Sequence, residues 1–142
     1  MTTRVERHVS GASIDGLGAK IEGFLTTKGA RALYALPFVL FGLMHFVAGD
    51  AMAPAVPVPG GVFWVYFTGA ALIAGGAGIL TGILGRWAGY GLATLLATFA
   101  LTVHLPALGD PATQQMATIS FLKDIALAGA ALAFSGIFAK RA

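Results

Sequence analysis

Four apolar segments, at about 31–48, 62–84, 87–105 and 119–138, divide this chain, and each is close to the ~20 residues that cross the hydrocarbon core of a bilayer. The expected fold is therefore all-α, a bundle of four transmembrane helices. The basic residues orient it. Arg4, Arg7, Lys20, Lys28 and Arg31 precede the first segment, Arg86 joins the second to the third, and Lys140 and Arg141 follow the fourth. These are eight of the nine Lys and Arg in the chain, and all fall on one side of such a bundle. The connectors 49–61 and 106–118 carry neither residue type. The positive-inside rule then puts both termini in the cytoplasm and those two loops outside.

Composition narrows the class further. At 142 residues and 57% hydrophobic content, with a mean hydropathy of +0.82, the chain is too apolar for an ordinary soluble domain and too short for two. The net charge of +3 is split between membrane borders, not gathered on one basic face, so anionic lipid of the inner leaflet is the expected partner and nucleic acid is not. No cysteine is present, which excludes a disulfide framework, a CxxC redox pair, a thiolate zinc site and cysteine-held iron–sulfur clusters. Any redox chemistry has to use a borrowed cofactor. Ala51-Met52-Ala53 has the small-x-small form of a signal cleavage site, but the long polar leader and the length of the apolar run favour retention of the first segment as a membrane helix.

Residues 1–28 form a cytoplasmic leader and 29–142 the membrane domain. In the leader, Ile14, Leu17, Ile21, Phe24 and Leu25 recur at helical spacing, which suits an amphipathic helix on the inner leaflet. Gly11, Gly16, Gly18 and Gly23 weaken that helix, and a mobile tail is the competing expectation. The loop 49–61 holds Pro54, Pro57 and Pro59 before Gly60 and Gly61, a pattern that predicts an extended cover and not another helix. Phe63, Trp64, Tyr66 and Phe67 follow as an outer aromatic belt, with Tyr34, Trp87 and Tyr90 as the inner one. A tight turn at about Gly85 and Arg86 joins segments two and three, and Gly78/Gly82, Gly85/Gly89 and Ala126/Ala130 provide small-residue spacings for close helix packing.

The remaining polar groups fall at one depth. His45 lies 14 residues after Arg31, His104 lies 18 after Arg86, and Lys123 and Asp124 precede Lys140 by 17 and 16. At ~1.5 Å per residue they sit roughly 21 to 27 Å from the inner border. Asp50, Asp110, Gln114 and Gln115 are placed just beyond them in the outer loops. Ionisable groups in a membrane are costly unless paired, wetted or turned inward, so a shared outward-facing pocket is one reading. The other is local satisfaction: histidines complementing helix C-termini, Lys123 reaching the headgroups, and Asp124 capping or bonding a neighbouring helix. Their spacing matches no compact metal-ligand motif, and no metal is expected. A quinone headgroup, which needs one or two hydrogen-bond donors beside an apolar cleft, suits His45, His104 and Lys123.

Several stretches carry a resemblance. Arg31-Ala32-Leu33 enters the first helix, Phe41-Gly42-Leu43-Met44-His45-Phe46 ends it, and the proline-rich loop closes in Phe63-Trp64-Val65-Tyr66-Phe67-Thr68-Gly69. Leu80-Thr81-Gly82 precedes the basic turn, His104-Leu105-Pro106 ends helix three, and Phe121-Leu122-Lys123-Asp124-Ile125-Ala126 opens helix four. From 31 to 138 the chain resembles the DoxX-like four-helix membrane proteins, a group that includes the small membrane subunit of thiosulfate:quinone oxidoreductase. The resemblance implies an inner-membrane protein linked to redox or sulfur metabolism, with quinone chemistry carried over to His45, His104, Lys123 and Asp124 alone. The thiol-based branch uses cysteines that are missing here.

With no internal redox group and small loops, the first expectation is an accessory subunit without catalysis of its own, held to a membrane-protein partner or to further copies of itself. A quinone-reactive subunit is the enzymatic alternative. A small-solute carrier is the third, although no interrupted helix pair or inverted repeat supports it.

Overall fold

A computed structural model describes Ile14 and residues 16–140; Arg4, Arg7, Gly11 and Arg141, used above, lie outside the described residues. Every regular element among the described residues is helical. Lipid offers no hydrogen-bond partners to a backbone, and helices satisfy their own. Four stretches, Gly16–Val47, Gly61–Thr81, Gly85–Ala107 and Gln114–Ala139, are long and apolar enough to cross a membrane. We label the main helices α1 (Ala30–Val47), α2 (Gly61–Thr81), α3 (Gly85–Phe99) and α4 (Gln114–Ala139). Beyond α3 the chain continues through one π-helical turn, Ala100–His104, into the short helix Leu105–Ala107.

The chain divides into two compact units, Met1–Leu33 and Tyr34–Ala142. In the first, residues 16–24 are helical and run into a π-turn over Leu25–Gly29. Helix forms despite Gly16, Gly18 and Gly23, and Ile14, Leu17, Ile21, Phe24 and Leu25 all remain exposed. The hydroxyl of Thr26 donates to Glu22 O at 2.8 Å and that of Thr27 to Gly23 O, so both threonines fold back on the turn before them.

In the second unit the helices close into a ring through small residues. A methyl group on Gly42 of α1 would come 2.6 Å from Gly69 O of α2, and one on Gly75 would meet Leu92 of α3 at 2.6 Å. Added to Gly89 of α3, it would approach Ala131 O of α4 to 2.6 Å. Contacts this close exclude a side chain, and with Gly85, where a methyl group would meet the Phe138 ring at 2.7 Å, they make the Gly85/Gly89 spacing a packing feature within one chain. Tyr34 completes the ring from α1 to α4: its hydroxyl donates to Leu127 O at 2.7 Å and its ring lies 5.0 Å from that of Phe134. Tyr34 is thus a half-buried packing residue and not the inner-belt anchor expected of it. Ala35, Phe38, Leu72, Ile79, Leu92, Leu96, Ala131 and Phe138 form the core between the helices.

Three connections differ from expectation for identifiable reasons. Gly82 adopts φ 82° and accepts the role of C-cap, so α2 stops at Thr81 and the turn precedes Gly85. Leu84 in that turn has φ 52°, a left-handed conformation normally left to glycine. In the loop 49–61, Gly49–Met52 is a helical turn and Ala53–Ala55 a 3-10 turn, in place of an extended cover. Pro54 sits in the first turn, where its missing N–H is not required, and the chain becomes extended only at Val56. Finally, α4 begins at Gln114, so Gln114 and Gln115 belong to its first turn and not to a loop. Asp110 prepares that start: its Oδ1 accepts the Ala112 N–H at 2.9 Å and its carbonyl accepts the Gln114 N–H at 2.8 Å.

Candidate functional site

Two polar side chains are buried among the described residues, Asp124 at 2% exposure and Ser135 at 1%. Ser135 is satisfied, because its hydroxyl donates to Arg86 O at 2.8 Å. Asp124 is only partly so. It projects from the middle of α4, where no helix end can serve it. Lys123 Nζ lies 3.4 Å from its Oδ1, and His104 Nε2 lies 3.2 Å from its Oδ2. Both are ion pairs; Oδ2 exposes almost no surface and has no hydrogen-bond partner. A buried carboxylate short of one donor costs on the order of 1–3 kcal/mol or more.

Local structure delivers the other members. His104 closes the π-turn that extends α3, and its side chain keeps 25% of its exposure. Single π-turns inside α-helices recur at functional sites because the widened turn re-aims side chains. Lys123, half exposed, holds its ammonium 5.7 Å from the centre of the Phe41 ring on α1. His45, also on α1, places Nδ1 2.7 Å from Phe41 O. A carbonyl can only accept, so Nδ1 carries the proton in this contact.

His45, His104, Lys123 and Asp124 line one cavity of about 1100 Å³. Its wall is otherwise mostly apolar and runs from Met52 and Val58 in the loop, past Phe38, Leu72 and Leu96, to Trp87. It joins the buried Phe38, Leu72 and Leu96 to exposed residues on α2 (Trp64 and Phe67) and on α3 (Tyr90, Gly91, Thr94 and Thr98), so it reaches the outer surface between those helices. Along α3 the lining spans Trp87 to Thr102, roughly 22 Å at ~1.5 Å per residue. The threonine hydroxyls there are engaged by the chain's own carbonyls one turn back, Thr98 Oγ1 donating to Thr94 O at 2.9 Å and Thr102 Oγ1 to Thr98 O at 2.7 Å. Gly91 faces open space, with no atom near the position a Cβ would take.

The site can therefore hold a long apolar body and a small polar head. At the head it offers the Lys123 ammonium, the His45 and His104 rings and the Asp124 side chain. Asp50, Asp110, Gln114 and Gln115 are exposed and do not line the cavity. No group of three His, Asp or Glu close enough to hold a metal occurs among the described residues. The sequence reading missed Thr68, Gly91, Thr94, Thr98 and Thr102; the four-residue spacing of Thr94, Thr98 and Thr102 was the available signal, a stripe on one helix face. Compared with protein-family models, curated proteins and solved structures, the chain has no significant match.

Proposed function

We propose that this chain is an integral membrane protein that binds a quinone-type amphiphile inside the bundle, its head at His45, His104, Lys123 and Asp124 and its tail in the groove between α2 and α3. The single observation carrying this reading is the cavity of about 1100 Å³ that unites those four polar residues with a long apolar wall open toward lipid. Ligand sites of this kind pair an apolar cleft with a few convergent polar groups. The DoxX-like resemblance points the same way. The cysteine-free chain fits a subunit that presents quinone to a redox partner, which unites the accessory and quinone expectations. The basic residues Lys20, Lys28, Arg31, Arg86 and Lys140 favour a bacterial-type inner membrane with cytoplasmic termini and the head site toward the outer leaflet.

Gly91 supplies the test. Gly91→Leu fills the groove from a position where nothing obstructs the new side chain. Trp64 and Trp87, the only tryptophans, both line the cavity, so quenching of their fluorescence by decylquinone in nanodiscs reports occupancy. Wild type is expected to show saturable quenching, and Gly91→Leu at least tenfold weaker affinity with an unchanged melting temperature. Equal quenching of both proteins would remove the groove from the reading.

A further inference from the structure

We propose that the Arg86 end of the groove is a binding site for an anionic phospholipid, its phosphate on the Arg86 guanidinium and one acyl chain laid along α3. This does not rest on the quinone-type reading, because it uses none of the groups around Asp124. Arg86 stands in the first turn of α3 with its side chain exposed, while its carbonyl accepts the Ser135 hydroxyl at 2.8 Å and so ties this turn to α4. The guanidinium carbon lies 5.7 Å from the centre of the Trp87 ring and 5.9 Å from that of Tyr90. Both rings line the cavity, so the cation is held at its end. Aromatic rings attract a cation without taking up its N–H donors, and among the described residues no carboxylate pairs with Arg86. A guanidinium in that state presents the planar fork of N–H groups that suits a phosphate.

From Trp87 the cavity lining follows α3 through Tyr90, Gly91, Thr94 and Thr98. One leaflet contributes half of a hydrocarbon core of ~30 Å, so at ~1.5 Å per residue an acyl chain that starts beside Trp87 reaches about ten residues along the helix, to the neighbourhood of Thr98. It ends short of His104. Midway, Gly91 leaves open space, and the Thr98 hydroxyl already donates to Thr94 O, so a hydrocarbon chain laid there leaves that donor satisfied. Charge selects the head. A zwitterionic lipid brings its own ammonium toward the guanidinium, whereas an anionic one brings only the charge that Arg86 lacks. Lys140 follows α4 at the same end of the bundle but lines no part of the cavity, which makes it the natural comparison for an effect of border charge alone.

The test is native mass spectrometry of the full chain released from micelles that hold equal amounts of a phosphatidylglycerol and a phosphatidylcholine with the same acyl chains. The unaltered protein is expected to retain the phosphatidylglycerol over the phosphatidylcholine by about fivefold or more. Arg86→Gln is expected to bring the two lipids close to parity. Lys140→Gln removes the same charge and is expected to leave the preference unchanged. Gly91→Leu fills the groove and is expected to lower retention of both lipids. Equal retention of the two lipids by the unaltered protein overturns the proposal, and that comparison stands even where a variant fails to assemble. A preference lost as fully in Lys140→Gln as in Arg86→Gln also overturns it, since the attraction then belongs to the border charge as a whole. Undiminished retention in Gly91→Leu does the same by taking the acyl chain out of the groove.

Discussion

Asp124, Ser135 and Tyr34 show how differently single polar groups are treated inside this bundle. Ser135 and Tyr34 each donate to a backbone carbonyl of another helix, Arg86 O and Leu127 O, and so bind helices together. Such bonds are worth about 0.6 kcal/mol on average in membrane proteins, with a maximum near 1.7. Tyr34→Phe keeps the ring packed edge-on against Phe38 and tilted against Phe134 and removes only the hydroxyl. It is expected to lower stability by about 0.5–1.5 kcal/mol, measured as the unfolding midpoint in mixed detergent, without altering ligand affinity. Asp124 is the opposite case, a buried group held between the Lys123 and His104 side chains whose second oxygen has no hydrogen-bond partner. Its depth was readable by counting residues from the basic border. Its direction was not, because a count along a helix axis does not say which way the helix is turned toward its neighbours, and for His104 the π-turn Ala100–His104 also breaks the α-helical phase.

At the scale of elements, close packing is concentrated at particular glycines, and two neighbours on α3 make the contrast testable. A Cβ at Gly89 would strike Ala131 O and Ser135, whereas one at Gly91 would meet nothing. Gly89→Ala is expected to cost about 1–3 kcal/mol by forcing α3 from α4. Gly91→Ala is expected to be neutral or to stabilise by up to about 1 kcal/mol through helix propensity. Thermal unfolding of the two purified variants side by side measures both. The existence of four spanning helices was legible because a bilayer accepts few alternatives to a helix for an apolar run of ~20 residues. Helix ends were less so. The polar stretch Gln114 to Thr118 continues α4 beyond the apolar run, held by Asp110 and by the Thr118 hydroxyl on Gln114 O, and composition gives no sign of it. The loop prolines were read as extension, yet Pro54 fits the opening of a helical turn.

For the whole molecule, the charge distribution leads to a topological expectation that the absence of cysteine makes easy to check. Single cysteines at the exposed positions Ala51 and Ala139 give Ala51→Cys and Ala139→Cys variants free of background thiols. A membrane-impermeant maleimide added to intact cells or spheroplasts is expected to label the first and to reach the second only after the membrane is broken. Labelling of Ala139→Cys from outside would reverse the orientation and move the head site to the inner leaflet. The groove between α2 and α3 has a consequence for how any such protein behaves between encounters with its ligand. If the bundle lies in a bilayer and takes up an amphiphile as proposed, an apolar hollow of about 1100 Å³ that opens toward hydrocarbon does not stay empty, because its lining loses dispersion contacts that a neighbouring lipid chain restores at once. Occupancy is then an exchange between one hydrocarbon tail and another, with the tail contacts nearly cancelling. What distinguishes the ligand from the solvent it displaces is its head, so the few groups around Asp124 set the affinity, and the acyl composition of the surrounding bilayer becomes the competitor against which that affinity is measured.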